Sequence, residues 1–168
     1  MNSHPPPDPN YEGRVRAAFA KQNAMATIGA EITSIAPGVC EIEMAFNPAF
    51  AQQHGYLHAG AISIVLDSAC GYAAFSLMPE DAAVLTIGFK VNRLSPGKGE
   101  RFLFRRTVNK PGSTIRVTDR QAFALSLDGE LKLIATMTAT LMSIRGRPDL
   151  KGWSFRIAEI SPITASRH

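Results

Sequence analysis

Two hydrophobic periods alternate along the chain and predict its elements. From Gly13 to Ile28 the apolar residues recur at helical spacing, which predicts an amphipathic helix. A period of two then runs over Cys40–Phe46 and is typical of a half-exposed strand. Glu31–Ile35 is interpreted as its partner strand, joined to it through a type II turn at Pro37-Gly38.

The most apolar segment, residues 58–78, is rich in Ala, Ser and Gly and predicts a helix buried on most of its faces. Strand patterns with short turns follow and predict an antiparallel meander, with a two-residue hairpin turn at Asp128-Gly129. The predicted strands are Val84–Leu94, Arg101–Val108, Ile115–Leu127 and Leu131–Ile144. This order of elements predicts an α+β domain in which a curved antiparallel sheet wraps the long helix.

The length of 168 residues corresponds to one domain. We expect a flexible, proline-rich N-terminal arm over residues 1–12, a single domain over 13–144 and a C-terminal tail over 145–168. With 45% hydrophobic and 19% charged residues, the composition excludes a wholly disordered chain.

Composition also indicates the compartment. The N-terminus has neither the basic nor the apolar region of a secretory signal, and Asp67 interrupts the apolar segment, so neither export nor a membrane span is expected. The two cysteines, Cys40 and Cys70, are too few for a disulfide framework or a four-cysteine metal site. The cytoplasm is therefore the predicted location.

The net charge of +4 is unevenly distributed. Residues 1–100 carry 6 Lys and Arg against 9 Asp and Glu, whereas residues 101–168 carry 12 against 5. A basic second half favours an anionic partner such as a phosphate-bearing small molecule. The basic residues are scattered, without a dense run or aromatic interleaving, so nucleic acid is not expected as the partner.

Small residues open the long helix at Ala59, Gly60 and Ala61. Small side chains there give a ligand access to first-turn N–H groups, which have no partner inside the helix and stabilise a developing oxyanion. The alternative is that they only allow the helix to pack closely on the sheet.

Asp67 lies within this apolar helix. A buried carboxylate is costly unless it has a structural partner or a chemical task such as general base or nucleophile, and both interpretations stay open. Gly60 and Asp67 are seven positions apart, about 10 Å along a helix at ~1.5 Å per residue. If both act on one carbonyl, Asp67 must come from a second subunit, across a two-fold axis.

Other candidate residues have weaker support. His54 and His58 have an i, i+4 spacing that would suit a metal, but no third ligand is evident, and Cys70 is more typical of packing than of a nucleophile. A period of two places Thr86 on one strand face with Gly88, Lys90 and Asn92, where Thr86 could hydrogen-bond a water or a carboxylate.

Taken together, Gln52-x-x-Gly55-x-x-His58-Ala59-Gly60 followed by Asp67 resembles the Asn-x-x-Gly-x-x-His-Gly-Gly…Asp signature of PaaI-like hotdog-fold acyl-CoA thioesterases. Val91–Pro96 is similar to the strand end of that family, and the resemblance covers roughly residues 30–144. It implies a hotdog fold, a homodimer or dimer of dimers, and hydrolysis of an acyl-CoA without a metal or other cofactor.

The resemblance also implies roles for individual residues. Asp67 would be general base or nucleophile across a dimer interface, and the N–H of Ala59, next to Gly60, would polarise the thioester carbonyl. Gln52 would position water or the thioester, His58 would shape the loop and Thr86 would orient the water. Gln52 and Ala59 depart from the family, in which Asn and Gly stand at these positions.

Two other functions stay open: a hotdog dehydratase or hydratase, and a non-catalytic acyl-CoA-binding or sensing domain. The acyl group is not fixed by the motif. Residues that could line an apolar tunnel, or equally form core, are Val65, Leu66, Tyr72, Phe75 and Phe89.

Overall fold

The computed structural model describes residues 6–105, 108–110 and 112–147, with only the backbone for 108–110. The predictions for the remaining residues, including most of the C-terminal tail, lie outside the described residues. The helices are α1 Tyr11–Ala20, α2 Asn23–Ile28 and α3 Ala59–Phe75, with a short 3-10 turn at Pro48–Phe50. The strands are β1 Ala30–Ala36, β2 Val39–Ala45, β3 Ala83–Arg93, β4 Arg101–Arg105, β5 Val108–Lys110, β6 Ile115–Leu125 and β7 Leu131–Ile144.

The strands form one antiparallel sheet that wraps α3. Its order is β1-β2-β4-β6-β7-β3, with β5 paired to β6. Residues of α3 and of the inner sheet face pack together in a single core. Four of its members, with nearly zero exposure, are Ile62, Leu66, Phe104 and Leu141. The predicted hotdog arrangement is confirmed.

The predicted meander of four consecutive strands is wrong at its first member. β3 does not pair with β4 but lies at the far edge, next to β7. The connection after β3, which has the composition of a tight turn, is a crossover past the start of α3, where Leu57 N–H donates to Gly97 O at 2.9 Å. A side chain at Gly97 would be crowded there, because an added Cβ would lie 3.2 Å from the Leu57 side chain.

The first predicted helix is divided in two. Lys21 and Gln22 separate α1 from α2, and Gln22 has an extended backbone (φ −86°, ψ 91°). The cause is tertiary, because the Gln22 side chain bonds to α3. The predicted arm is also shorter than expected, since Asp8 is buried against Arg14 and α1 already begins at Tyr11.

Two turn glycines have the predicted left-handed backbone. Gly38 has φ 76°, as the third position of a type II turn requires. Gly129 has φ 83°, but its hairpin is closed between Ser126 and Glu130. The loop therefore has three residues, a turn followed by a left-handed glycine, and not the two residues that the sequence predicts.

Arginines hold the C-terminal part of α3. Arg14 from α1, and Arg116 and Arg120 from β6, donate to carbonyl oxygens in or just after that part of the helix. These acceptors are Phe75 O and Met78 O for Arg14, Leu77 O for Arg116 and Ala69 O for Arg120. Positive charges near the C-terminus of a helix interact favourably with the negative end of its dipole. Part of the positive charge of the second half is thus structural, because Arg116 and Arg120 are buried.

Candidate active site

One stripe of α3 is not fully covered by the other residues that the structure describes. It contains Gly60, Ile64, Asp67 and Gly71, which recur at three- and four-residue intervals along one helix face. Residues on the other faces of α3 are buried. The only carboxylate of α3 therefore lies on its one accessible side, half-buried next to β3.

Asp67 is held by Thr86. The Thr86 hydroxyl donates to Asp67 Oδ1 at 2.8 Å, which leaves Oδ2 without a partner among the described residues. Burial raises the pKa of the Asp67 carboxyl above its ordinary value, and the hydrogen bond from Thr86 opposes that rise. The result is an oriented carboxylate with one oxygen available to accept a proton.

A β-bulge brings Thr86 to Asp67. Thr86 pairs with Leu141, a core-facing residue, but Gly88 pairs with Thr140 on the outer face, and the register shifts between them. The prediction that Thr86 shares a face with Gly88, Lys90 and Asn92 is therefore wrong, because the extra residue interrupts the period of two.

The loop before α3 is organised around Gln52. Gln52 Oε1 accepts from the His54 N–H at 2.8 Å, and its backbone N–H donates to Tyr56 O at 2.8 Å. These bonds fix the side chain while its Nε2 amino group has no partner among the described residues, so it can donate to a ligand.

His58 is the N-cap of α3. Its Nδ1 accepts from the Gly60 N–H at 2.9 Å, so the ring proton of the neutral imidazole is on Nε2. A Cβ at Gly60 would lie 3.0 Å from this Nδ1, so the imidazole would have to shift to admit a side chain there. The Gly60 N–H is therefore not available to a substrate, whereas the Ala59 N–H has no partner in the part of the chain that the structure describes.

The residues that are predicted to act together line two separate pockets of one chain. Asp67 and Thr86 line a cavity of about 810 Å³ between α1, α3 and the start of β3. Gln52, His58 and Ala59 line another, of about 450 Å³, with Arg93 on its wall. No single chain, in its described residues, joins the carboxylate to the helix N-terminus.

Comparison with known proteins gives the family. Residues 14–107 match a family model described as a domain of unknown function, DUF4442. The chain is 58% identical to a thioesterase family protein from Silicibacter pomeroyi, covering 81% of this chain and 99% of that one, with a TM-score of 0.79. The chain belongs to the hotdog-fold thioesterases.

More distant structures of this fold agree. The PaaI protein of E. coli, from the phenylacetic acid degradation operon, is 18% identical, with a TM-score of 0.71 over 80% of this chain and 94% of that chain. A Staphylococcus aureus thioesterase is 20% identical, with a TM-score of 0.66 over 73% and 98%. Its solved structures include a glutamine-to-alanine and a glutamate-to-alanine variant, at positions fifteen residues apart. No curated protein matches the sequence significantly.

The weaker sequence candidates do not assemble a site in this thioesterase. Cys70 is fully buried, its Sγ is 3.8 Å from the Met137 sulfur, and burial raises the pKa of its thiol to about 11, which disfavours a nucleophilic thiolate. His54 belongs to no group of three metal-ligating side chains among the described residues. No helix in the described ranges is both long and apolar enough to cross a membrane.

Sequence reasoning missed part of the Asp67 pocket. The tunnel candidates divide: Val65 and Leu66 are core, Phe89 is half-exposed, and Tyr72 and Phe75 line the cavity. The missed lining residues come from α1 and the α1–α2 break and include Ala17, Ala18, Lys21 and Gln22, together with Gly71 of α3. The one available signal was the glycine in the middle of an apolar helix.

Proposed function

We propose that this thioesterase hydrolyses acyl-CoA to a free acid and CoA at a site shared by two copies of the chain. One copy supplies Asp67 and Thr86, and the other supplies the Ala59 N–H and Gln52. The observation that supports this most directly is the separation of the two half-sites into two pockets of one chain.

The open edge of β3 supports a second copy. β3 pairs with β7 alone among the described strands, and its apolar side chains are exposed: Leu85 by 47%, Ile87 by 56% and Phe89 by 50%. Ile64, on the uncovered stripe of α3, is 45% exposed. An apolar edge strand attracts further strands, and a two-fold partner would cover edge and stripe together.

The symmetry of such a pair suits the chemistry. An antiparallel pairing of two β3 edges lays the two α3 helices side by side in opposite directions. Each Asp67 then approaches the N-terminus of the other α3. The seven-residue offset keeps Gly60 and Asp67 of one chain apart. In an antiparallel pair of helices the same offset brings Asp67 of one chain close to Gly60 of the other.

The proposed reaction begins when Asp67 Oδ2 takes a proton from a water molecule while Thr86 holds Oδ1. The water oxygen attacks the thioester carbon, and the Ala59 N–H of the partner chain and its helix dipole stabilise the oxyanion. Collapse breaks the carbon–sulfur bond, and the CoA thiolate takes the proton from Asp67. Gln52 Nε2 is placed to donate to the water or to the thioester.

Direct attack by Asp67 is the other form of this mechanism, and label that appears in the protein after reaction in labelled water would establish it. Under single turnover in H₂¹⁸O, general-base catalysis puts the label in the product acid. Attack by the carboxylate forms a mixed anhydride, whose hydrolysis at the Asp67 carbonyl leaves the label in the protein.

The activity itself is tested by thiol release from a panel of acyl-CoAs. Turnover that Asp67→Asn abolishes supports the proposal. Tight binding of acyl-CoA without thiol release by the native protein would instead establish a sensing domain.

The oxyanion donor can be tested with one substitution, Ala59→Pro. Ala59 is the first residue of α3, where proline fits, and His58 has the extended backbone (φ −63°, ψ 143°) that a following proline requires. Proline replaces the amide hydrogen with its ring Cδ, so the donor is lost, and loss of one such donor costs about 10²–10³ in kcat. Ala59→Gly, which keeps the N–H, is the matched control. Equal kcat in the proline and glycine variants would remove Ala59 from the site.

The shared site can be tested with tagged, purified mixed dimers. We combine one Asp67→Asn chain with one Ala59→Pro chain. One of the two sites then receives both defects and the other neither, so activity should return to about half of the native level. A mixed dimer as inactive as both parent dimers would refute a site built from two chains.

A further inference from the structure

Nothing among the described residues of the chain requires a glycine at Gly71. It lies one turn after Asp67 on the uncovered stripe of α3, in the interior of a helix, where glycine destabilises relative to alanine. Its backbone is not left-handed, and a Cβ built on it would meet no heavy atom within 4 Å. At Gly60, in contrast, the His58 ring occupies that space.

The open space beside Gly71 is part of the 810 Å³ cavity that Asp67 lines. Because the helix rises ~1.5 Å per residue, Gly71 lies about 6 Å along the axis from Asp67. Rotation by four residues keeps both on one face. A chain that starts at a carbonyl beside Asp67 and follows the helix therefore crosses Gly71.

A polar cluster stands on the wall of the same cavity. Gln22 Oε1 accepts from the hydroxyls of Ser68 at 3.2 Å and of Tyr72 at 3.3 Å, and both of these side chains are buried. Gln22 Nε2 has no partner among the described residues. Burial raises the pKa of the Tyr72 phenol to about 12, so the phenol stays protonated and donates its hydrogen to Gln22 Oε1. The cluster is left with the two N–H donors of the Gln22 amide and with the hydroxyl lone pairs as acceptors.

The charges that line the cavity do not favour an ionic group. Its cationic and anionic side chains are equal in number: Arg14, Lys21 and Arg147 against Asp67, Glu80 and Asp81. A neutral group that both donates and accepts a hydrogen bond complements the Gln22 cluster best, and a hydroxyl is the simplest such group.

We propose that the acyl group extends from Asp67 across Gly71 and that Gln22, Ser68 and Tyr72 bind a hydroxyl it carries about 6–8 Å from the thioester carbonyl, a span taken from the helix rise. Gly71 and Gln22 are then specificity-determining residues. This inference rests on the proposed thioesterase function of Asp67.

The test compares matched substrates. We measure kcat/KM for acetyl-CoA, hexanoyl-CoA and 6-hydroxyhexanoyl-CoA with the native protein, Gln22→Met and Gly71→Leu. One well-formed hydrogen bond corresponds to roughly a tenfold preference. The native enzyme should therefore prefer the hydroxylated chain over hexanoyl-CoA by about tenfold, and Gln22→Met should bring that ratio close to one. Gln121→Met, on the outer sheet face, is the matched control and should keep the native ratio.

Gly71→Leu tests the path of the acyl group. Leucine would fill the space one turn from Asp67, so the ratio of hexanoyl-CoA to acetyl-CoA turnover should fall by at least tenfold. Light scattering on the same sample tests the competing reason for the glycine, close approach of a partner helix. A monomeric Gly71→Leu protein would assign Gly71 to the interface and overturn its role here.

The outcomes separate this inference from the function on which it rests. If the native protein hydrolyses none of the three thioesters, the proposed function fails with it. If it hydrolyses them without preferring the hydroxylated chain, or if Gln22→Met keeps that preference, thioesterase activity stands and the specificity proposal is wrong.

Discussion

Asp67→Asn should remove catalysis while stabilising the fold. Asparagine keeps the shape of the side chain and an Oδ1 that can accept the Thr86 hydroxyl bond of 2.8 Å, so the local geometry is preserved. It loses only the ability to take a proton or to attack. General-base contributions are typically 10²–10⁴-fold, or about 3–5 kcal/mol of barrier, which sets the expected loss in kcat.

The sign of the stability effect follows from the raised pKa of Asp67. In the unfolded chain this carboxyl ionises at its ordinary pKa, so between that value and the raised folded value the folded protein holds more protons. The contribution of Asp67 to the free energy of unfolding therefore falls as pH rises through that window and stays unfavourable above it. Removing the charge should raise Tm at neutral pH and flatten this part of the pH dependence.

Asp119 provides a control, because it is also a carboxylate that accepts a bond from a threonine hydroxyl but does not line the Asp67 pocket. Thr138 donates to Asp119 Oδ1 at 2.6 Å, and this pair is exposed. Asp119→Asn should keep native kcat. Thiol release, and thermal unfolding from below the ordinary Asp pKa of 3.8 up to about pH 8, test both halves of the reasoning. A Tm of Asp67→Asn below the native value at neutral pH would refute the argument from burial, and a native kcat would refute the role of Asp67.

The remaining predictions concern the second pocket. Gln52→Ala should lower kcat more than it raises KM, with a smaller loss than Asp67→Asn, and Gln52→Asn should retain appreciable activity; full activity of Gln52→Ala on every thioester tried would exclude it. Arg93→Ala should raise KM for acyl-CoA but not for the matching N-acetylcysteamine thioester, which lacks phosphates; an equal rise for both would contradict a phosphate contact. His58→Ala should remove the N-cap bond to the Gly60 N–H and lower stability by about 1 kcal/mol; an unchanged unfolding midpoint in denaturant would contradict this.

The elements of the fold were predictable where the information is local. The period of two over β2 and β7, and the apolar run of α3, are set by which face each residue buries, and the sequence shows this directly. The position of β3 was not predictable in this way. An antiparallel strand pairs equally well with β4 or β7, and the choice depends on the crossover at Gly97, which looks like an ordinary turn.

The candidate site was predictable to a similar extent. Asp67 was identified because a carboxylate is rare in an apolar helix, and the structure shows that Thr86, which the sequence gives either a water or a carboxylate as partner, donates to Asp67 Oδ1. The period of two assigns Thr86 to the strand face of Gly88, Lys90 and Asn92. The bulge after Thr86 places it on the opposite face, where it meets Asp67. Gln22 was missed because the sequence pattern predicts one continuous helix there. In the structure Gln22 lies at the break between α1 and α2, and its side chain bonds to α3.

Three features of the isolated chain are each unfavourable, and they lie side by side. Asp67 is a partly buried charge, Gly71 is a glycine in a helix interior, and β3 exposes an apolar edge. Independent defects would be scattered over the surface, whereas Asp67 and Gly71 share one stripe of α3 and β3 borders it. Local rules that fail together in one place point to a common cause, and a partner chain with an acyl group between the two chains would account for all three.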